Sequence, residues 1–253
     1  MLDSMQAINL ISTDKVDNGL EEAREIFLQS GKLGQQAIAF MDGKHTAPNA
    51  RAFIGLSKNS KMPAYTLAIP ARESCPRGDK LAQIKGTVCS GCYAMKGHDA
   101  MKPAKNAKAR RWAIIKLALK SLDVQKVWLQ AFAIAMLKET YFRWHSAGDI
   151  FSKEYAQMMK QAIGLSDHVK HWIPTREARN ASTLADLPNV VVRVSDDMVD
   201  QVRNKYTGNT SGVHSTDKPV RGFDCPAQHN QGSCGDCRQC WSKNVAHVSY
   251  HLH

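Results

Sequence analysis

The sequence predicts an α/β protein: a complete or partial (βα) barrel of the TIM type, preceded by an N-terminal helical and hairpin extension. Three observations predict it. Short β-rich runs recur from residue 141 onward, each ending in polar side chains. Helix-period segments separate the earlier runs, which implies parallel βα units. The reactive side chains fall at the ends of those runs, where a barrel assembles its site. An open parallel sheet is the alternative.

Residues 1–50 read as the extension and 51–253 as the barrel domain. Within the extension, 17–28 has helical spacing, with Leu20, Ala23, Ile26 and Phe27 on one side. Gly31, Gly34 and Gly43 then break the pattern. Residues 52–56 and 65–69 are short apolar stretches around Lys58-Asn-Ser-Lys61, which suits a hairpin. Residues 103–139 are helical, with Pro103 in a first turn and Ser121 as the N-cap of a second helix. Strand candidates follow at 141–144, 172–173, 190–194, 213, 223 and 245–250. Helical segments at 153–165 and 177–187 lie between the first of them.

The chain has 253 residues, 43% hydrophobic and 23% charged, which excludes a disordered protein and fits one large domain or two small ones. The longest apolar run, 131–137, is too short to span a bilayer. Acidic Asp3 and Asp14 and the lack of a basic-then-apolar start argue against a signal peptide, so a reducing cytoplasm is expected.

Seven cysteines in such a compartment point to thiolate or metal chemistry rather than disulfides. They fall into two groups, Cys75-x13-Cys89-x2-Cys92 and Cys225-x8-Cys234-x2-Cys237-x2-Cys240. A two-residue gap lets two thiolates of one turn reach the same metal, and glycines at 91, 232 and 235 let the backbone close around them. The donor set suits one or two [4Fe–4S] clusters and equally suits tetrahedral zinc. Three cysteines in the first group leave one iron open. A barrel would bring both groups to one end, where they could share ligands. The remaining alternative is seven buried free thiols.

Around the open iron, His145, Asp149, Arg176 and Asp196 are the candidate catalytic residues, because each follows or ends a predicted strand. Each also has a structural alternative. Asp149 caps the next helix, and Arg176 pairs with Asp196 or Asp197. His214 and His229 are candidate extra ligands, and His247, His251 and His253 alternate as on one strand face.

Lys+Arg total 34 against 23 Asp+Glu, a net +11 that favours polyanionic partners. Nine basic residues (96, 102, 105, 108, 110, 111, 116, 120 and 126) meet only Asp99 and Asp123 over the same span. This is either a solvated helix face or a ridge that contacts nucleic acid, in a zinc- or cluster-stabilised binding module. No phosphate-binding or dinucleotide fingerprint is present.

Several short motifs carry a resemblance: Cys89-Ser-Gly-Cys92-Tyr-Ala94, Arg143-Trp-His-Ser-Ala-Gly-Asp149, Ile173-Pro-Thr-Arg176, Val192-Arg-Val-Ser-Asp196 and Cys234-Gly-Asp-Cys237 through Cys240-Trp241. Over about residues 50–253 the chain resembles the phage-encoded gene product eighty-eight domain family. The resemblance implies an iron–sulfur protein of a bacteriophage, working in the host cytoplasm. More distantly, Cys89-x2-Cys92-Tyr-Ala is similar to phage relatives of radical S-adenosylmethionine enzymes. That likeness implies a redox or radical activity with Cys75, Cys89 and Cys92 as cluster ligands and S-adenosylmethionine as cosubstrate. The chain departs from it in its long first cysteine gap and in having no Gly-Gly pair.

Overall fold

A computed structural model describes residues 18–202, 206–217, 219 and 221–252. Three helices open the described chain: α1 (Gly19–Leu28), α2 (Gly31–Met41) and α3 (Ala47–Ile54). The expected helix at 17–28 is α1. Of the three glycines expected to end regularity, Gly31 and Gly34 instead lie in α2, and Gly43 follows its end. A Cβ on Gly34 would sit 2.0 Å from the Phe27 carbonyl oxygen, so glycine is what allows the α1–α2 corner to close.

The short strand β1 (Ser57–Lys58) pairs antiparallel with β2 (Tyr65–Ala68), so the hairpin's first arm is 57–58 and not the expected 52–56, whose residues up to Ile54 belong to α3. Short helices α4 (Pro76–Leu81) and α5 (Gly97–Ala100) follow, separated by the cysteine loop. Next come the long helices α6 (Lys102–Ala118) and α7 (Leu122–Met136). The Ser121 side chain accepts from the Val124 N–H at 3.2 Å, which is the N-cap read from the sequence.

From there strand and helix alternate: β3 (Tyr141–Ala147), α8 (Lys153–Gly164), β4 (Lys170–Thr175), α9 (Ala178–Ala185), β5 (Val190–Val199). Strands β6 (Thr210–His214), β7 (Phe223–Asp224) and β8 (His247–His251) complete one eight-stranded sheet. Its order is β1-β2-β3-β4-β5-β6-β8-β7, and every pair after β1–β2 is parallel. The fold is thus α/β and barrel-like in its βα alternation. Among the described residues no pairing joins β1 to β7.

The two faces of the sheet are covered differently. One packs on helices: Leu67, Phe142, Trp144, Ile173, Val190, Val192 and Val194 share a core with Phe27, Phe53, Ile115, Phe132, Met159 and Leu184. Phe132 stacks on Trp144 with ring centres 5.2 Å apart. Helices α1–α3 contribute to this same core. The opposite face bears Thr66, Arg143, Trp172 and Arg193 and is covered by the cysteine-bearing loops. The register makes this partition, since cross-strand partners share a face and the next residue along points away. Among the described residues no helix is long and apolar enough to cross a membrane.

Candidate functional site

The carboxyl ends of β2 to β5 gather the chemically interesting side chains. Gly148, just past β3, has φ +87°, and a Cβ there would lie 2.2 Å from Ile69 Cγ1 and 2.6 Å from Ser74 Oγ. Glycine therefore lets the end of β3 abut the loop after β2, and the Asp149 N–H donates to the Ser74 carbonyl at 3.2 Å. Asp149 itself is buried. Its carboxylate accepts from the Ile150 N–H at 2.7 Å, the Arg176 N–H at 2.8 Å and the Thr175 hydroxyl, tying β3 to β4. Burial outweighs those three bonds and pushes its pKa up to about 6.

Arg176 lies beside it. Its Nη2 donates to the Asp196 carbonyl oxygen at 3.1 Å, and its Nε is buried with no hydrogen-bond partner among the described residues. The loop carrying Cys89 is held against the end of β5, where Thr87 bridges to Met198 and the Val199 N–H donates to the Gly86 carbonyl at 3.1 Å. Arg77 closes this side by pairing with Asp197 at 2.6 Å, and its N–H donates to Glu177 at 2.6 Å. Gly78 makes room for two thiols: a Cβ there would meet Cys75 Cβ at 3.0 Å and Cys89 Sγ at 3.5 Å. Burial is the main cause that raises both thiols, Cys75 to about 12.

Of the four catalytic candidates, the structure brings together Asp149 and Arg176. Asp196 meets Arg176 only through its backbone. Its carboxylate lies 3.7 Å from Arg221 Nη2 on the helix-side face of β5 and β6, where a Cβ on Gly212 would stand 3.2 Å from it. His145 is turned into the core. Its φ is +50°, at a bulge where two residues of β2 span four of β3, and its Nε2 lies 2.9 Å from the Tyr155 hydroxyl. Burial pushes this imidazole down to about 3, so it is neutral. The spacing had suggested one rim for all four, but the bulge in β3 and the alternation along β5 send two of them elsewhere.

The metal expectation is overturned. Among the described residues, no three or more His, Cys, Asp or Glu side chains group so as to hold a metal ion. Cys75, Cys89, Cys92, Cys225, Cys234, Cys237 and Cys240 are all free and half-buried. The physical reason lies in where the loops run. Cys92 packs against Ala68 and Ala147 at the carboxyl ends of β2 and β3. Cys234 and Cys240 pack with Met62, Ala64, Tyr141 and Trp241 at the opposite end of those strands. The Cys234 N–H donates to the Lys61 carbonyl ahead of β2, and the Trp241 indole donates to the Phe142 carbonyl near the start of β3. The length of β3 separates the groups, about 20 Å at roughly 3.3 Å per residue. Neither a [4Fe–4S] cluster nor zinc fits, and with no iron for S-adenosylmethionine to chelate, that cosubstrate falls with them.

The histidines are no closer to a ligand set. His214 lies 3.1 Å from Asp224, His229 contacts Gln228, and His247 sits 2.8 Å from the Thr210 hydroxyl. His251 packs edge-on to His214, and His253 lies outside the described residues. The basic stretch is also sorted by the fold. Lys108 is buried and paired with Asp99 at 2.8 Å, Arg110 donates to Ser30 Oγ, and Arg111 donates to the Ala68 carbonyl and Ser57 Oγ. Lys96, Lys102, Lys105, Lys116 and Lys120 stay exposed.

The profile of one protein family, described as Gene product 88, matches residues 39–243. This chain belongs to the Gene product 88 family. The match bears out the resemblance and its bacteriophage affiliation, and it gives no support to a radical S-adenosylmethionine relationship. No curated protein and no solved structure matches the chain. Within the family's span, sequence reasoning overlooked Thr175, Arg143, Trp172 and Arg193. An arginine inside the valine run 190–194 was the available signal, because a charge there must find partners or be functional.

Proposed function

We propose that the carboxyl edge of the sheet is the catalytic end of an enzyme acting on a small acidic substrate. Asp149 exchanges a proton with the substrate, and Arg176 holds the substrate's negative charge. The observation that carries this reading is a carboxyl group kept near pKa 6 that accepts from the backbone N–H of Arg176, at the ends of two parallel strands. A group that titrates near neutral pH serves as either acid or base at little cost. Ligands of barrels and of open parallel sheets alike bind at this edge. Carbon-13 NMR of labelled aspartate tests the proton, with a titration near pH 6 expected for Asp149. A panel of phosphate- and carboxylate-bearing metabolites tests the substrate. A compound that raises the melting temperature of the natural chain should lose that effect in Arg176→Gln. A carboxyl titrating at its ordinary value of 3.8 rejects the reading.

A second reading, nucleic-acid binding, is favoured by one surface feature. Tyr93, Met95 and Met101 are about half exposed, interleaved with exposed Lys96, Lys102 and Lys105, and the Tyr93 hydroxyl donates to the Ser146 carbonyl beside the same edge. Aromatic and basic side chains in one strip suit a single strand. Fluorescence anisotropy with labelled oligonucleotides should show salt-dependent binding that weakens at least tenfold when those three lysines become glutamine. Unchanged affinity leaves them a solvated face.

A further inference from the structure

On the loop-covered face, three neighbouring strands carry polar groups side by side. Thr66 on β2, Arg143 on β3 and Trp172 on β4 are successive cross-strand partners, so they form one row across the sheet. Thr66 is 3% exposed and Trp172 5%. Thr66 Oγ1, Arg143 Nε and Trp172 Nε1 are all buried, and none has a hydrogen-bond partner among the described residues. The Arg143 guanidinium lies over the Trp172 ring, 4.6 Å from its centre. Among the described residues no carboxylate pairs with it.

Such a row is costly if nothing fills it, because a buried donor without an acceptor keeps its full desolvation penalty. The surroundings supply no negative charge. Burial holds Cys234, Cys240 and Tyr250 in their neutral forms. Arginine and the indole nitrogen can only donate, and the threonine hydroxyl can donate as well. The missing partner therefore brings acceptor oxygens and negative charge.

The geometry points to an oxyanion site on this face: a carboxylate or phosphate group of a small ligand bound by Arg143, with Thr66 and Trp172 donating from the flanking strands. The guanidinium leans over the Trp172 ring of one neighbouring strand, and Thr66 stands on the other neighbouring strand, about 4.8 Å from the Arg143 backbone. The ring beneath fixes the guanidinium plane, so its free edge is presented to an incoming anion with little loss of rotamer freedom. This site is separate from the Asp149–Arg176 edge and does not depend on the reading given for that edge.

Calorimetric titration of the full chain with inorganic phosphate, and separately with succinate, at constant ionic strength tests the site. One saturable site is expected for at least one of the two anions, and the arm that binds identifies the ligand's acid group. Binding should weaken at least tenfold in Arg143→Met, which keeps the stem over Trp172 and removes the charge. It should persist in Arg176→Gln. If Arg143→Met does not fold, Thr66→Val decides: it should bind the anion several-fold more weakly while melting no lower than the natural chain without anion. No saturable binding of either anion, or binding that survives Arg143→Met and disappears in Arg176→Gln, overturns the proposal.

Discussion

Arg193 and Arg143 share one face of the sheet, yet they are satisfied in opposite ways. Arg193 is fully buried and spends all five N–H groups on backbone carbonyls: Nε on Cys240, Nη1 on Thr210 and Val245, Nη2 on Gln239 and Ser242. It is the core of the loop 239–245. Arg143, half-buried two strands away, makes no hydrogen bond among the described residues and rests on an indole ring. The contrast teaches how to read a buried cation. One whose donors are all used is architecture, and one whose donors face unmet neighbours is a receptor.

The largest expected effect tests the architectural arginine. Arg193→Met should cost about 3–5 kcal/mol, because five carbonyls, most of them half-buried, lose the guanidinium together. Urea unfolding measures this, and limited proteolysis should open the 239–245 segment first. An unchanged urea midpoint would remove Arg193 from that role.

Next comes pH. The Asp149 carboxyl holds its proton more tightly folded, at about 6, than at its ordinary 3.8. The folded chain therefore carries an extra proton between those values, and stability falls as pH rises through them, by about 3 kcal/mol in total. Asp149→Asn should flatten this slope. A slope of opposite sign at Asp149 would mean that its hydrogen bonds, not burial, dominate.

Smaller still, Arg143→Met without added anion should change stability by no more than about 1 kcal/mol, because it breaks no hydrogen bond and keeps the apolar stem. A loss as large as that of Arg193→Met would erase the distinction between the two arginines. The smallest effect expected is none: excess chelator should leave the melting temperature unchanged, since no side-chain group holds a metal ion among the described residues. A drop on chelation, reversed by iron or zinc, would restore the convergence of thiols that the loop paths deny.

Much of the fold was legible. Short β-rich runs and helix-period segments located β3 to β8 and α6 to α9, and Ser121 announced its own cap. These are short-range signals, set by neighbours a few residues apart. The glycines of α2 misled, because Gly34 serves a contact with Phe27 that lies in another helix. Of the site, Asp149 and Arg176 were legible as strand-end residues. His145 was not, because a bulge cannot be read from a single strand, and Asp196 was not, because its face depends on the register of β5 against β6.

The order of elements, the parallel βα alternation and the family are properties of the chain read residue by residue, since they rest on local periodicity and short motifs. Where the thiols go is not such a property. A two-residue cysteine gap permits two sulfurs to share a partner, but whether distant loops meet depends on how the whole sheet lengthens the path between them. Here β3 holds the cysteine groups at its opposite ends, and tertiary packing alone decided that Arg193 would be filled and Arg143 left open.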